Sequence, residues 1–386
     1  MKGRHRLGLL FSSTGPYATI GQAMLNGALL AIEEVNGSDN FPFTLEPVIA
    51  DPQGLNDAYA RLAKSMLIEE RLAHVVGCYT SSSRKEVLPY FEKYDGLLWY
   101  PSHYEGFESS ENAVYTGASP NQHIVPLADF LLKRYGNRAY FIGSNYIWAW
   151  ENNKIMREAV LAAQGSVLAE RYAPVGDTDH DAIVRQILDY RPDFIFNTLI
   201  GDSAYAFFRA LRGGAQRVGI DQARDMPVAS CSLSEPELAE IGIDACDGHI
   251  SSSVYFESID TAANASFARA YRRRFPSQRA TSADAEASYN AVHLLALALK
   301  AAGSEDMPAV RSVLSHIEFD APQGRVCIDN DNRHSYLTPR IGVSNRNGGF
   351  DIIFESSQPI KPDPYLIWDD VRHERPARLT NLRVVK

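Results

Sequence analysis

At 386 residues the chain is longer than one ordinary hydrophobic core, and 45% hydrophobic with 22% charged residues is the balance of a globular protein, so two lobes or domains are expected. A formal net charge of −9 argues against a nucleic-acid surface; the densest basic run, Arg272-Arg273-Arg274, reads as a solvated helix face. No apolar run approaches the roughly 18 residues that cross a bilayer, so no membrane insertion is expected.

Near the start, the apolar run Leu7 to Phe11 is shorter than the roughly 7–15 residues of a secretory signal and leads straight into the first strand. The expectation is a cytoplasmic chain, or a periplasmic one if the sequence lacks its native signal peptide. Cys78, Cys231, Cys246 and Cys327 form no C-x-x-C pair, so neither a zinc site nor a redox motif follows. Cys78 and Cys231 sit in strand-like apolar runs and read as buried free thiols, with a disulfide left open.

In chain order, the strand Leu7–Phe11 meets the turn Ser12-Ser13-Thr14-Gly15-Pro16. A helix over Gln22–Val35 follows, with Met24, Leu25, Ala28, Leu29, Ile32 and Val35 on one face. Strand Phe43–Ala50, helix Asn56–Glu70, strand His74–Cys78, a helix and strand Leu97–Tyr100 continue the alternation. It predicts a parallel sheet with helices on both faces. After a short strand at Asn112–Tyr115, the run Gly117 to Asn121 reads as a crossing point. The rhythm restarts with helix Ile124–Tyr135 and strand Arg138–Ile142, and runs to strand Pro227–Ser230. DFIFNTLIGDSAY then echoes HVVGCYTSSS: a buried strand ending in small polar residues. Gly248–Tyr255 is expected to cross between lobes. Long helices Ala262–Arg274 and Ala283–Ala302 follow, then a hairpin of Leu337–Asn345 and Phe350–Glu355. The fold class is therefore α/β, two doubly wound parallel-sheet lobes with a ligand cleft between them. The expected division is 1–120 plus 255–330 for the first lobe, 121–254 plus 331–366 for the second, and 367–386 as a tail.

Catalytic motifs are sparse. Gly201-Asp202-Ser203-Ala204-Tyr205 approaches a nucleophile elbow, but Tyr205 stands where the second glycine belongs, and a helix cap is the plainer reading. There is no Walker lysine, no G-x-G-x-x-G and no metal-spaced histidine pair, so neither cofactor nor metal is expected. The signal is collective. Ser12-Ser13-Thr14, Tyr79 and Ser81, Tyr100 and Ser102, Tyr146 and Trp148, and Gly201 and Asp202 all follow strands, where ligands bind in open α/β sheets. Each alone is explained by turn chemistry or a core lid. Hydroxyls and rings dominate and only Asp202 brings charge, which suits a small neutral amide better than a zwitterion.

The stretch GCYTSSSRKEVLPYFEKYDGLLWYPSHYEGFESSENAVYTGASPNQ resembles the type I solute-binding family in its urea and short-chain-amide branch. FIGSNYIW, YFESIDT, FDAPQGRV, NRHSYLTPRI and QPIKPDPY extend the likeness over roughly Leu7 to Ile367. It is closest to the cytoplasmic amide sensors that negatively regulate aliphatic amidase operons. The resemblance implies two lobes joined by three crossings and closing on an amide or urea, without catalysis. By motif it assigns Tyr79, Ser81, Tyr100, Ser102, His103, Tyr146 and Trp148 to the pocket, with Gly201, Asp202 and Ser232 lining the far lobe. Ser102, His103 and Trp148 depart from the sensors' Thr, Pro and Tyr, so the preferred amide is expected to differ from acetamide. The implied partner is an RNA-binding antitermination protein, with no direct contact to nucleic acid by this chain and a homodimer left open. The same branch holds extracytoplasmic urea- and amide-binding receptors of ABC transporters, the alternative reading; an amidohydrolase using Ser203 or Cys78 stands third.

Overall fold

A computed structural model describes residues 2–277 and 280–367; all of the expected tail except Ile367 lies outside them. The first half alternates β1 (Gly3–Leu10), α1 (Ala18–Gly37), β2 (Phe43–Ala50), α2 (Asn56–Ile68), β3 (His74–Gly77), α3 (Ser81–Tyr94), β4 (Leu97–Tyr100) and β5 (Ala113–Tyr115). These strands form one parallel sheet in the order β2-β1-β3-β4-β5. β3 and β4 are buried along their whole length, as central parallel strands covered by helices on both faces must be.

The second run comprises α4 (Ile124–Arg134), β6 (Arg138–Ser144), α5 (Ile147–Ala162), β7 (Ser166–Ala173), α6 (Asp181–Tyr190), β8 (Phe194–Thr198), α7 (Gly201–Arg217), α8 (Gln222–Asp225), β9 (Val228–Ser230), α9 (Glu235–Ile241) and β10 (Ile250–Ser253). The chain then forms α10 (Ala262–Arg274), α11 (Ala283–Ala302), α12 (Met307–Val313), β11 (Glu318–Ala321), β12 (Gly324–Ile328), β13 (Ser335–Tyr336), β14 (Arg340–Ser344) and β15 (Phe350–Glu355). The second sheet is ordered β15-β14-β10-β9-β8-β6-β7, parallel except for its antiparallel β10-β14-β15 edge. The architecture is the expected α/β pair of parallel-sheet lobes.

Two differences refine the reading. Gly248–Tyr255 contributes its middle to the second sheet as β10, and the chain leaves that sheet only after Ser253. The expected change of lobe at 330/331 falls inside a small third sheet, where β13 pairs with β12 and Tyr115 bridges His334; the passage to the second sheet follows β13.

α1 and α11 pack unusually closely. A Cβ added to Gly27 would meet the Ala285 carbonyl oxygen at 2.0 Å, so glycine is what allows the two backbones to touch. This contact fixes the first turn of α11, whose N-cap Ser282 accepts from the Ala285 N–H.

Candidate functional site

The two sheets present their strand ends to one another, and between them Tyr79, Ser81, Ser102, His103, Tyr146, Trp148 and Ile200 enclose ≈ 180 Å³ of space, part of it open to solvent. Tyr79 and Ser81 follow β3. The turn is made by Cys78 at φ +66°, a left-handed conformation that is uncommon for a residue with a Cβ. Thr80 then caps α3 by accepting from the Ser83 N–H at 3.1 Å. Ser102 and His103 follow β4; Tyr146 and Trp148 stand at the head of α5, opposite.

Beneath Ser81 lies a buried ion network. Arg84, wholly buried, donates to Glu105 at 3.1 Å and to Glu108 at 2.7 Å, and its guanidinium lies 4.8 and 4.6 Å from the ring centres of Tyr100 and Tyr104. Burial alone would lower the Arg84 pKa, but Glu105, with Tyr100 and Glu108, holds it well above the ordinary arginine value. Burial opposes ionisation of Glu108 too, yet Arg84 and Lys85 bring that carboxyl down to about 2. Ser81 gives its hydroxyl proton to Glu105. Its oxygen accepts from Arg84 Nη1 at 3.4 Å, which leaves one lone pair of this cavity-lining hydroxyl as an acceptor.

Donor groups share the cavity wall with it. No hydrogen bond from the described residues reaches the Tyr79 or Tyr146 hydroxyl, and the buried Trp148 Nε1 has no partner. Burial, reinforced by the Asp284 and Glu237 carboxyls, holds the Tyr79 phenol well above its ordinary value; burial does the same to Tyr146. Both stay protonated donors at neutral pH. His103 is pushed down to about 3 by burial and is neutral.

The remaining expected residues stand elsewhere. Tyr100 lies behind the cavity wall, its hydroxyl donating to the Tyr79 carbonyl at 2.8 Å. Gly201 and Asp202 form a contact between lobes: the Asp202 N–H donates to the Pro16 carbonyl at 3.2 Å, while its side chain is exposed. Ser232 closes a turn with Ser230 at 3.0 Å. Ser12 bonds Tyr59 and the Gly54 N–H, and Ser13 and Thr14 bond Asp51, so the first strand end is spent on turn chemistry. Ser203 accepts from the Gly176 N–H at 2.9 Å and is buried; burial pushes the Cys78 thiol up to about 12. All four cysteines are free.

Sequence reasoning missed the acids. Glu237 accepts from the Ser234 N–H at 2.9 Å and from Tyr205 at 3.3 Å, and Asp284 accepts from Ser102 at 3.5 Å. The Ser234-x-x-Glu237 spacing is a legible capping box, but nothing in it tells that the carboxylate sits beside the cleft. Tyr17, whose ring centre is 5.3 Å from that of Tyr79, was also missed. Among the described residues no cluster of His, Cys, Asp or Glu could hold a metal, and no helix is long and apolar enough to cross a membrane.

These buried acids carry a prediction. Burial raises Glu235 and Glu237 to about 8 and Asp284 and Glu286 to about 7. An acid whose folded pKa is raised contributes stability that is complete below its unfolded value and is lost as pH climbs through the folded one. Burial also lowers His74, His103 and His334 to about 3, and His123 and His249 to about 4, so these rings destabilise the fold as pH drops below their ordinary 6.5. Thermal stability should therefore peak near pH 6.5, the ordinary imidazole value. It should then fall toward pH 8 by roughly 1.4 kcal/mol per pH unit for each carboxyl that the fold still holds protonated. A melting temperature that is flat from pH 6.5 to 8 would mean these acids are already charged in the folded protein.

Two parallel-sheet lobes whose strand ends meet around a small cavity define a two-lobed solute-binding architecture. The chain belongs to the periplasmic binding protein domain family, whose model matches residues 5–370. Its fold is similar to that of a solute-binding protein of an ABC transporter from R. palustris in complex with 4-hydroxybenzoate. The two are 20% identical, with 92% of this chain and 98% of that one covered at a TM-score of 0.82. It is likewise similar to the branched-chain amino acid transporter substrate binding protein LivJ of Streptococcus pneumoniae in complex with isoleucine, at 19% identity, coverage of 93% and 100%, and a TM-score of 0.78. A stretch of 119 residues, 31% of the chain, is 30% identical to limonene hydroxylase of Geobacillus stearothermophilus and spans 22% of that protein.

Proposed function

We propose that the chain is a receptor for a small neutral primary amide or urea, held between lobes that close on it without chemical conversion. The observation that carries this reading is the polarity of the cavity wall. The wall brings together the Ser81 oxygen, whose proton goes to Glu105 and which keeps one lone pair beside Arg84, and the phenols of Tyr79 and Tyr146 with the Trp148 indole, which are donors. A primary amide offers the complementary set, an NH2 for Ser81 and a carbonyl for the tyrosines, with a short acyl group against the Trp148 ring. Among the described lining residues none is Lys or Arg, and Arg84 is already paired with Glu105 and Glu108, which disfavours a carboxylate ligand.

The test is a calorimetric titration with acetamide, butyramide and urea, with leucine and benzoate as controls. Ser81→Ala should weaken amide binding by about 1–3 kcal/mol, the cost of stranding a buried polar partner. Equal affinity for the variant would remove Ser81 from the site. Silence of all three neutral probes, with leucine or benzoate binding, would replace the amide reading with that of an amino-acid or aromatic-acid receptor.

Such a receptor fits best as the extracytoplasmic binding component of an ABC transporter, since the proteins its fold resembles are solute- and substrate-binding proteins of transporters. A second reading is favoured by the GCYTSSSRK and YPSHYEGFE segments, which resemble the amide sensors: a cytoplasmic regulator that holds an RNA-binding antitermination protein inactive until an amide arrives. Neither reading uses Ser203 or Cys78 as a nucleophile, since Ser203 is engaged by backbone and the Cys78 thiol is held protonated by burial.

A further inference from the structure

Behind the cleft, at the crossings between lobes, lies a second, narrow chamber: ≈ 470 Å³ of space, part of it open to solvent and only a small part wide enough for water. Gly117 and Ala118 of the first crossing, Val254 to Phe256 after β10, and Ala283 and Ala287 of α11 give it a mostly apolar wall. His103 belongs to the walls of both this chamber and the cleft cavity. Its ring stands edge-on between Trp148 on the cleft side, 5.3 Å away, and His123 on the chamber side, 5.7 Å away.

Three polar groups of the chamber wall offer acceptors, while the Ser234, Ser252 and Ser253 hydroxyls donate within the protein. Glu235 is 3% exposed; its Oε1 accepts from the Glu257 N–H at 2.7 Å, and its Oε2 has no partner. His123 is 1% exposed; its Nε2 lies 3.0 Å from the Tyr104 carbonyl and so carries the ring proton, which leaves Nδ1 a bare lone pair without a partner. Asp284 adds a second buried carboxyl. Among the described lining residues there is no Lys or Arg to complement them. Burial favours the protonated form of both carboxyls, and an ammonium placed between them and the imidazole lone pair would draw them to the ionised, accepting form.

We propose that cleft and chamber form one bipartite site, which takes an amide whose acyl chain passes His103 and ends in a primary amino group held by Glu235, Asp284 and His123 Nδ1. The chamber's apolar wall suits a short methylene chain, and the three N–H bonds of an ammonium match three acceptors. This rests on the amide reading for the cleft and names the ligand class more narrowly: an ω-amino amide.

The test compares four probes by calorimetry on the full chain: acetamide, pentanamide, the ω-amino derivative of pentanamide, and pentylamine, which has the amine but no amide. The amino-tipped amide should bind at least about tenfold more tightly than pentanamide, as charge-assisted hydrogen bonds exceed an apolar contact. Glu235→Gln should bring the two together. Equal or weaker binding of the amino-tipped amide to the unmodified chain overturns the chamber site, whatever the variant does. Binding of acetamide with no gain from the amino group leaves the cleft reading intact and removes the chamber. Binding of pentylamine with acetamide silent keeps the chamber and removes the cleft reading.

Discussion

Gly201→Ala should lower ligand affinity by about 100-fold or more while leaving each lobe folded. Gly201 stands at φ +57°, and a Cβ there would meet the Pro16 carbonyl oxygen at 2.0 Å. Pro16 follows β1 of the first sheet and Gly201 follows β8 of the second, so the clash arises only when the lobes meet. The left-handed backbone itself costs alanine about 1–2 kcal/mol in either arrangement. The contact adds a penalty to the closed state alone, and apparent affinity falls with the closed fraction; roughly 3 kcal/mol of such a penalty is the 100-fold loss. Titration together with small-angle scattering separates the effects. An unchanged dissociation constant would mean that the bound form does not bring Pro16 against Gly201.

Arg84→Met should lower unfolding stability by about 3–5 kcal/mol, the usual result of removing one member of a buried ion pair. Methionine fills much of the volume but leaves Glu105, 2% exposed, and Glu108 without the guanidinium between them. The same change releases the carboxylate that orients Ser81, so amide affinity should fall in parallel. Denaturant midpoints check the first effect and titration the second. A loss below about 1 kcal/mol would show that Lys85 already neutralises the pair, since it reaches Glu108 at 2.9 Å.

The architecture was legible because buried parallel strands announce themselves: HVVG, LLWY and FIFNT are short apolar runs that each stop at polar residues. Strand ends also pointed to Tyr79, Ser81, Ser102, His103, Tyr146 and Trp148, which the fold gathers around one cavity. The same logic also named Tyr100, Ser232 and Ser12, whose hydroxyls bond backbone groups here, because a hydroxyl after a strand serves a backbone turn as readily as a ligand. Asp202 reads as a charge for the site and proves to be exposed, its backbone making the contact instead. The acids near the cleft were illegible for the opposite reason. Glu237 and Asp284 sit in first helical turns, where an acidic residue is ordinary capping and dipole chemistry, and only the packing of distant segments buries them. Likewise β13 was unreadable at two residues, too short for any periodicity.

The close seating of α1 on α11 at Gly27 bears on the order of events in binding. It welds the start of α11, and with it Asp284, to the same rigid body as the ends of β3 and β4. Half of the cavity therefore exists before the lobes meet, and the other half arrives with Tyr146 and Trp148 on α5. A ligand can settle on the preformed half at a rate governed by encounter, then be enclosed in a separate step. Residence time would be set by how often the lobes part rather than by the strength of the first contact.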